Sequence, residues 1–315
     1  MKLAKWLCVA AAWSAMAAHS EGGLIASGIP GVVKEGTAIE VIHESFKGTE
    51  GPIALPDGSL IFTETQADRI TRVADDGTFT VFLESTNGSN GLAFNKSGEL
   101  ISVQTTKAAI GVIHPKDKVR TLVDSFEGKP LNRPNDLVAD RKGGVYFTDP
   151  GANAQPGQTP VQPAFYYLAS NGKMRLLGTD VERPNGIQLS RDEKTLYLAN
   201  TRGEFLLAHD IAADGSVSNK RNFAKLAGFK QNEAGVWSSG ADGLAIDAAG
   251  NVYVASTVGV QVFDEKGTAL GIIQLPKAPQ NLAFAGKEGK TLYIVGRGAV
   301  YRLATLAGGY KGRVK

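Results

Sequence analysis

The chain has 315 residues, enough to bury a sizeable core in one large all-β or α/β domain or in two smaller ones. Its 43% hydrophobic and 21% charged residues are typical of a globular protein, and its 38 glycines predict many turns between short strands. The formal charge of +3 comes without a dense run of Lys and Arg, which argues against a nucleic acid as the partner.

The first 18 residues have the pattern of a signal peptide. Two lysines precede an apolar run, and small residues that include Ala15 and Ala17 follow it. The run is shorter than the roughly 20 residues that span a bilayer, which argues against a membrane anchor. Cys8 is the only cysteine and lies in this segment, which excludes a cysteine ligand or nucleophile in the mature chain. We expect a periplasmic or secreted protein, free of the membrane after cleavage, with one domain over residues 19–315.

A motif recurs six times along the rest of the chain. Each copy has a polar residue, a short apolar strand, a turn rich in Asp, Gly, Lys and Ser, and a second strand of alternating apolar residues. In chain order the copies are EGPIALPDGSLIFTET from Glu50, SNGLAFNKSGELISVQ from Ser89, PNDLVADRKGGVYFTD from Pro134, PNGIQLSRDEKTLYLAN from Pro184, ADGLAIDAAGNVYVAS from Ala241 and QNLAFAGKEGKTLYIV from Gln280.

The spacing of the copies predicts the architecture. Aligned on one polar residue each, 39 to 57 residues apart, they give Glu50, Asn90, Asn135, Asn185, Asp242 and Asn281. Each interval holds one four-stranded sheet, so we predict an all-β fold, a six-bladed β-propeller around a central channel. A pair of β-sandwiches would not explain six copies. TAIEVIHE near the start and AVYRLATL near the end should share one blade and close the ring.

The six aligned residues should face one axial space. Asn and Asp at a loop-to-strand junction also form Asx-turns, which explains any one of them alone. Glu50 and Asp242, however, place two carboxylates among carboxamides, and a buried carboxylate needs a counter-charge. One divalent cation would supply it, and oxygen donors suit Ca²⁺ best, with Zn²⁺, Mg²⁺ or Mn²⁺ as alternatives. Arg133 could instead neutralise one of the carboxylates.

Other reaction chemistries have no motif in the sequence. There is no nucleophile elbow, Walker loop or His-Glu-x-x-His pattern, and the histidines lack metal-ligand spacing. Aromatic residues recur at one repeat position, where we expect blade core. They are Tyr146, Phe147, Tyr197 and Tyr253.

The motifs resemble those of the gluconolactonase and senescence-marker-protein family, which includes regucalcin. EGPIALPDGSLIFTE, NGLAFNKSGEL, LNRPNDLVADRKGGVYFTDP, RPNGIQLSRDEKTLYLANT and ADGLAIDAAGNVYVA occur in the family's order, and the resemblance covers about residues 45–303. It implies a six-bladed propeller with one divalent metal at the axis and a metal-dependent lactonase activity.

The resemblance also implies residue roles. The family's E-G-P, second P-N and D-G-L motifs place the principal metal ligands on Glu50, Asn185 and Asp242. Asn135 of the R-P-N-D motif would lie beside the metal and the substrate, and Arg133 at the pocket mouth. We expect hydrolysis of a sugar lactone, in which the metal polarises the carbonyl and Asp242 activates water. Asn135 and Arg133 would orient the substrate hydroxyls.

Two alternative functions stay open. A non-catalytic propeller that binds a ligand or protein is the alternative, although it would not need paired carboxylates. A propeller enzyme of other chemistry would lack the full motif series.

After YFTDP, where many gluconolactonases have a Tyr-Gly turn, this chain has a Pro/Gln-rich segment, residues 151–165, which we expect over the active-site face. Asp136 is expected to be a turn or supporting residue, because most copies have Gly or an apolar residue there.

Overall fold

The computed structural model describes residues 23–152 and 161–312. The predicted signal peptide lies outside this range, so export stays a prediction. Residues 153–160, the middle of the predicted 151–165 loop, also lie outside it. Within the two described ranges, no helix has the length and hydropathy needed to cross a membrane.

The described residues form 28 strands and one short 3-10 helix, Lys116–Lys118. The outermost strand of the last sheet comes first in the chain, and it is β1 (Glu40–His43). The first three sheets and a small hairpin follow: β2 (Thr49–Ala54), β3 (Leu60–Glu64), β4 (Arg69–Val73), β5 (Phe79–Glu84); β6 (Ser89–Phe94), β7 (Leu100–Gln104), β8 (Ala109–His114), β9 (Arg120–Val123); the hairpin β10 (Ser125–Phe126), β11 (Lys129–Pro130); and β12 (Leu137–Ala139), β13 (Val145–Asp149), β14 (Ala164–Leu168), β15 (Met174–Gly178).

The second half of the chain repeats the plan. Its sheets and a second small hairpin are β16 (Pro184–Leu189), β17 (Thr195–Asn200), β18 (Phe205–Ile211), β19 (Val217–Lys225); the hairpin β20 (Lys230–Gln231), β21 (Trp237–Ser238); β22 (Leu244–Ile246), β23 (Val252–Ser256), β24 (Gly259–Phe263), β25 (Ala269–Ile273); and β26 (Asn281–Ala285), β27 (Thr291–Gly296), β28 (Ala299–Ala304). All pairings are antiparallel. The first five four-stranded sheets are built in chain order from the inside outward, and the sixth has β1 as its outermost strand.

The six sheets form a closed ring, which confirms the predicted six-bladed β-propeller. The inner strands β2, β6, β12, β16, β22 and β26 each contact the next one, and β26 contacts β2. The sixth blade is completed by β1, which pairs with β28 as predicted from the two ends of the sequence.

The core lies between neighbouring blades. The four aromatic residues predicted there are all buried: Tyr146, Phe147, Tyr197 and Tyr253. Tyr146 packs on Tyr167 of the same blade with ring centroids 4.4 Å apart, which is the spacing of a favourable aromatic pair.

Neighbouring inner strands approach one another most closely at their first residues. A Cβ atom added to Gly51 would lie 2.0 Å from the carbonyl oxygen of Asn90 on the next blade. At Gly186 the same atom would lie 2.1 Å from the carbonyl oxygen of Asp242. Glycine follows the polar residue in these copies because no side chain fits between the strands.

The C-terminal segment covers the opposite end of the inner strands. Tyr310 donates its backbone N–H to the carbonyl of Ile246, and Gly309 forms an isolated bridge with Asp247. These contacts place the tail at the end of β22. The polar residues that begin the inner strands therefore lie at the other face of the propeller.

His209 on β18 is buried with its Nδ1 atom unpartnered among the described residues. Burial lowers its pKa from 6.5 to about 4. Since the unfolded chain binds this proton more readily, we expect the free energy of unfolding to fall as the pH drops from about 6.5 to about 4, by at most about 3 kcal/mol. The His209→Phe variant should lose this part of the pH dependence, measured by urea unfolding at several pH values. An unchanged slope would show that His209 is not responsible.

Candidate active site

The first residues of the inner strands form a ring at one face of the propeller. Gly91 donates its N–H to the carbonyl of Asn135 at 3.1 Å, which joins the second blade to the third. Thr148 of the third blade donates its hydroxyl to the carbonyl of Asn185 at 2.8 Å. Together with the close approaches at Gly51 and Gly186, these contacts place neighbouring ring residues side by side.

The ring residue of the sixth blade is Gln280, and the expected Asn281 is wrong by one position. Gly243 donates its N–H to the carbonyl of Gln280 at 2.8 Å, as Gly91 does to Asn135. The Oδ1 atom of Asn281 accepts the N–H of Leu282 on its own strand at 2.9 Å, and its Nδ2 atom donates to Glu50 of the first blade. Asn281 occupies the position that glycine holds in most other copies.

Asp136 occupies the same position in the third blade and supports the strands beside it. Its carboxylate is buried, with Oδ1 accepting the N–H of Leu137 at 2.9 Å. The other oxygen accepts the N–H of Ile187 on the next blade at 3.4 Å. Asp136 thereby connects β12 to β16, in keeping with the supporting position expected for it.

Glu50 is buried and surrounded by carboxamide donors. Gln280 donates Nε2 to one carboxylate oxygen at 3.0 Å, and Asn281 donates Nδ2 to the other at 3.3 Å. Gln280 is itself held by the N–H of Arg297, which donates to its Oε1 at 2.8 Å. Neutral donors lower the cost of burying this charge without cancelling it.

Asn185, a ring residue, has a buried side-chain oxygen without a hydrogen-bond partner among the described residues. The hydroxyl of Thr201 donates its hydrogen to the carbonyl of Ala241 at 2.8 Å, so its oxygen can only accept from Asn185. This assigns Nδ2 of Asn185 to the 3.0 Å contact with Thr201 and turns Oδ1 away from it. Oδ1 is buried and has no hydrogen-bond partner within the described residues.

Asp242 begins the inner strand of the fifth blade. Its N–H pairs with the carbonyl of Ala255 on β23 at 2.9 Å, and its side chain is half-buried. Gly186 lies against its carbonyl group, so Asp242 is the ring neighbour of Asn185. One carboxylate and one unpartnered amide oxygen thus come from adjacent blades.

The donor set suits a hard cation. Glu50 and Asp242 offer carboxylates, and Asn185 offers a buried oxygen that lacks a donor. Calcium takes carboxylate and amide oxygens from several chain segments. Over residues 23–152 and 161–312, no group of three His, Cys, Asp or Glu side chains converges as a metal site, so carboxamides would have to complete the ligand shell. The metal roles predicted for Glu50, Asn185, Asp242 and Asn135 stay predictions.

Arg133 is exposed and lies two residues before the ring residue Asn135, which is half-buried. The loop before them is held by Asp149, whose two carboxylate oxygens accept the N–H groups of Arg133 at 2.7 Å and Asn132 at 2.8 Å. Burial raises the pKa of Asp149 above its usual range, although these donors oppose the shift. The substrate-binding roles predicted for Arg133 and Asn135 stay predictions.

Arg183 is a further candidate residue that the sequence reasoning missed. Burial lowers its pKa, the positive charges of Arg202 and Arg133 lower it further, and Asp242 raises it. All four groups therefore interact electrostatically. A signal was present, since Arg-Pro-Asn occurs at residues 133–135 and again at residues 183–185.

Comparisons with known proteins identify the family. A family model described as the SMP-30/gluconolactonase/LRE-like region matches residues 48–297. The chain belongs to this family. The match confirms the resemblance inferred from the repeated motifs.

Relatives in the family include lactonases. A gluconolactonase of Zymomonas mobilis is 29% identical over 295 residues, covering 85% of this chain and 82% of its own. Pentonolactonase XacC of Haloferax volcanii is 26% identical over 271 residues, covering 83% and 86%. The solved gluconolactonase of Xanthomonas campestris has a TM-score of 0.73 at 27% identity, covering 86% and 90%. The calcium-binding protein regucalcin of Agrobacterium tumefaciens, with a TM-score of 0.71 at 20% identity and covering 87% and 95%, shares the fold.

The contact between Asn185 and Thr201 predicts an effect on cation binding. Thr201→Val removes the acceptor that orients the amide, so we expect Ca²⁺ to bind about tenfold more weakly, measured by isothermal titration calorimetry. Thr201→Ser keeps the hydroxyl and should restore the affinity. Thr121→Val, on the outermost strand of the second blade, is the matched control. Equal affinities of Thr201→Val and the wild type would contradict the assigned orientation.

Proposed function

We propose that the protein hydrolyses a sugar lactone with a divalent cation at the axial ring. The observation that carries the proposal is the buried, unpartnered Oδ1 of Asn185, in a ring that also has the carboxylates of Glu50 and Asp242. A ring that served only as a structural closure would have no need for paired charges there. The gluconolactonase and pentonolactonase relatives support lactones as the substrate class.

In this proposal Glu50, Asn185 and Asp242 hold the cation, and Asn135 lies beside it. Oxygen-only donors favour Ca²⁺ over Zn²⁺, Mg²⁺ or Mn²⁺. When bound, the cation supplies positive charge that polarises a carbonyl and stabilises a developing oxyanion.

The residues of the chain supply position and proton transfer. A carboxylate oxygen of Asp242 accepts a proton from water as the water oxygen bonds to the lactone carbonyl carbon. The ring carbon–oxygen bond breaks, and the departing ring oxygen takes the proton back from Asp242 to become a hydroxyl, which restores the carboxylate. Arg133 and Asn135 donate hydrogen bonds to substrate oxygens, which fixes the lactone against the ring.

Replacing Asp242 should separate catalysis from folding. We expect Asp242→Ala and Asp242→Asn to keep the wild-type fold and to lose at least about a hundredfold in kcat for gluconolactone, corrected for spontaneous opening. Asp117→Asn, in the exposed 3-10 helix, is the control. Calorimetry on Asp242→Asn separates two causes of the loss. If Ca²⁺ still binds, the variant has lost the base, and if Ca²⁺ no longer binds, it has lost a cation ligand. Hydrolysis of gluconolactone by Asp242→Ala at the wild-type rate would contradict the assignment of Asp242 as the base.

Removing the metal should abolish the activity. After EDTA treatment we expect no hydrolysis of sugar lactones above the spontaneous rate, and recovery on adding back Ca²⁺. Mg²⁺, Mn²⁺ and Zn²⁺ are added one at a time to rank the ions. If no sugar or non-sugar lactone is hydrolysed with any ion, the non-catalytic binding propeller is the better account.

A further inference from the structure

Three arginines lie together at the entrance to the axial ring. Arg133 precedes the ring residue of the third blade by two positions, and Arg183 does the same in the fourth. Arg202 follows β17 of the fourth blade directly after Thr201, the residue that orients Asn185. The ring and the three guanidinium groups therefore share one face of the propeller.

The backbone holds Arg183 and Arg202 side by side. The side-chain oxygen of Asn200 accepts the N–H of Arg183 at 3.1 Å and the N–H of Arg202 at 3.3 Å. Thr201 donates its N–H to the carbonyl of Arg183 at 3.0 Å, which joins the segment after β17 to the segment before β16. Asp149 holds the backbone of Arg133 in the same way on the neighbouring blade. Asn200 and Asp149, at equivalent positions of neighbouring blades, thus fix the backbone from which the arginine side chains extend.

Two carboxylates, Glu182 and Asp242, act on this cluster. Arg202 pairs with Glu182 at 3.2 Å, and that carboxylate is largely exposed. Arg133 and Arg183 make no ion pair within the part of the chain that the structure describes. Arg183 is half-buried, where a charge is costly to hold, and it lines one cavity together with Arg202. Asp242 acts on Arg183 but is also a proposed ligand of the cation, so a bound anion would stabilise the arginines when the cation is in place.

The hydrogen-bonding chemistry of guanidinium determines which type of substrate group the arginines would bind. Arginine has five N–H donors and no acceptor, whereas a sugar hydroxyl both donates and accepts. Three arginines therefore match a group that only accepts, a carboxylate or a phosphate, better than they match hydroxyls. Arg183 and Arg202 also line a cavity of about 500 Å³ between the third and fourth blades, together with Asp180 and Glu182, whose carboxylates pair with Lys220 and Arg202. That cavity extends the site away from the axis.

We propose that the preferred substrates are sugar lactones that carry an anionic group, a carboxylate or a phosphate ester, which Arg133, Arg183 and Arg202 bind while the lactone carbonyl lies at the ring. The inference rests on the proposed lactonase function. Water adds to the carbonyl carbon, the ring carbon–oxygen bond breaks, and the ring oxygen becomes a hydroxyl. The new carboxylic acid gives up its proton to solvent. The group bound by the arginines is unchanged.

The first test compares lactones that differ in charge. With the wild-type protein we expect kcat/KM to be at least about tenfold higher for the phosphate ester of gluconolactone or the monolactone of glucaric acid than for gluconolactone, mainly through KM. The two anionic probes separate phosphate from carboxylate. Raising the ionic strength should raise KM for the anionic lactones and leave KM for gluconolactone nearly unchanged.

The second test uses Arg183→Gln and Arg202→Gln. We expect each to reduce the anionic-to-neutral ratio of kcat/KM severalfold or more, because glutamine keeps a donor and loses the charge. Arg175→Gln is the matched control, since Arg175 also pairs with an exposed carboxylate, that of Asp214, but on an outer strand. It should leave the ratio unchanged.

The outcomes distinguish this inference from the function on which it rests. If the wild type hydrolyses gluconolactone at least as well as both anionic lactones, the anionic-substrate inference fails and the lactonase function stands. The same holds if the arginine variants slow all lactones equally. If no lactone is hydrolysed, both are wrong.

Discussion

The close approach of neighbouring inner strands at their first residues is the constraint on which the rest of the structure depends. At Gly51 and Gly186 the carbonyl of the next blade occupies the volume that a side chain would need. Because each blade touches the next at this level, six polar residues form one ring. Where glycine is absent, Asp136 and Asn281 instead use their side chains to bond the strands. The spacing of the site is therefore a property of the backbone.

The site has two layers of charge held by different means. Carboxylates lie within the ring, where Gln280 and Asn281 donate to Glu50. Guanidinium groups lie outside it, on loops whose backbone N–H groups are bound by the last residue of a second strand. That residue is Asp149 in one blade and Asn200 in the next. Because the blades repeat, residues at equivalent positions hold the arginine loops. The residue type at this position differs between the two blades.

The sequence predicted the architecture because its signals are local and repeated. Alternating apolar residues and turns define each strand pair, and six copies at blade spacing leave one arrangement. The choice between Gln280 and Asn281 failed because both are polar and the glycine that marks the register elsewhere is missing. The orientation of Asn185 depends on Thr201, which comes from another strand, so no motif reveals it.

Closure of the sixth blade has a consequence for how the chain acquires its fold. Strand β1, near the start of the chain, pairs with β28, near its end, so the ring cannot close until nearly the whole polypeptide is available. Contacts between segments so far apart form late, because the entropy of closing the intervening loop must first be overcome. Until then the growing chain is an open arc with an exposed edge. The mature geometry at the axis, which needs all six neighbours, is therefore the last feature to form, and removing either terminal strand would reopen the ring.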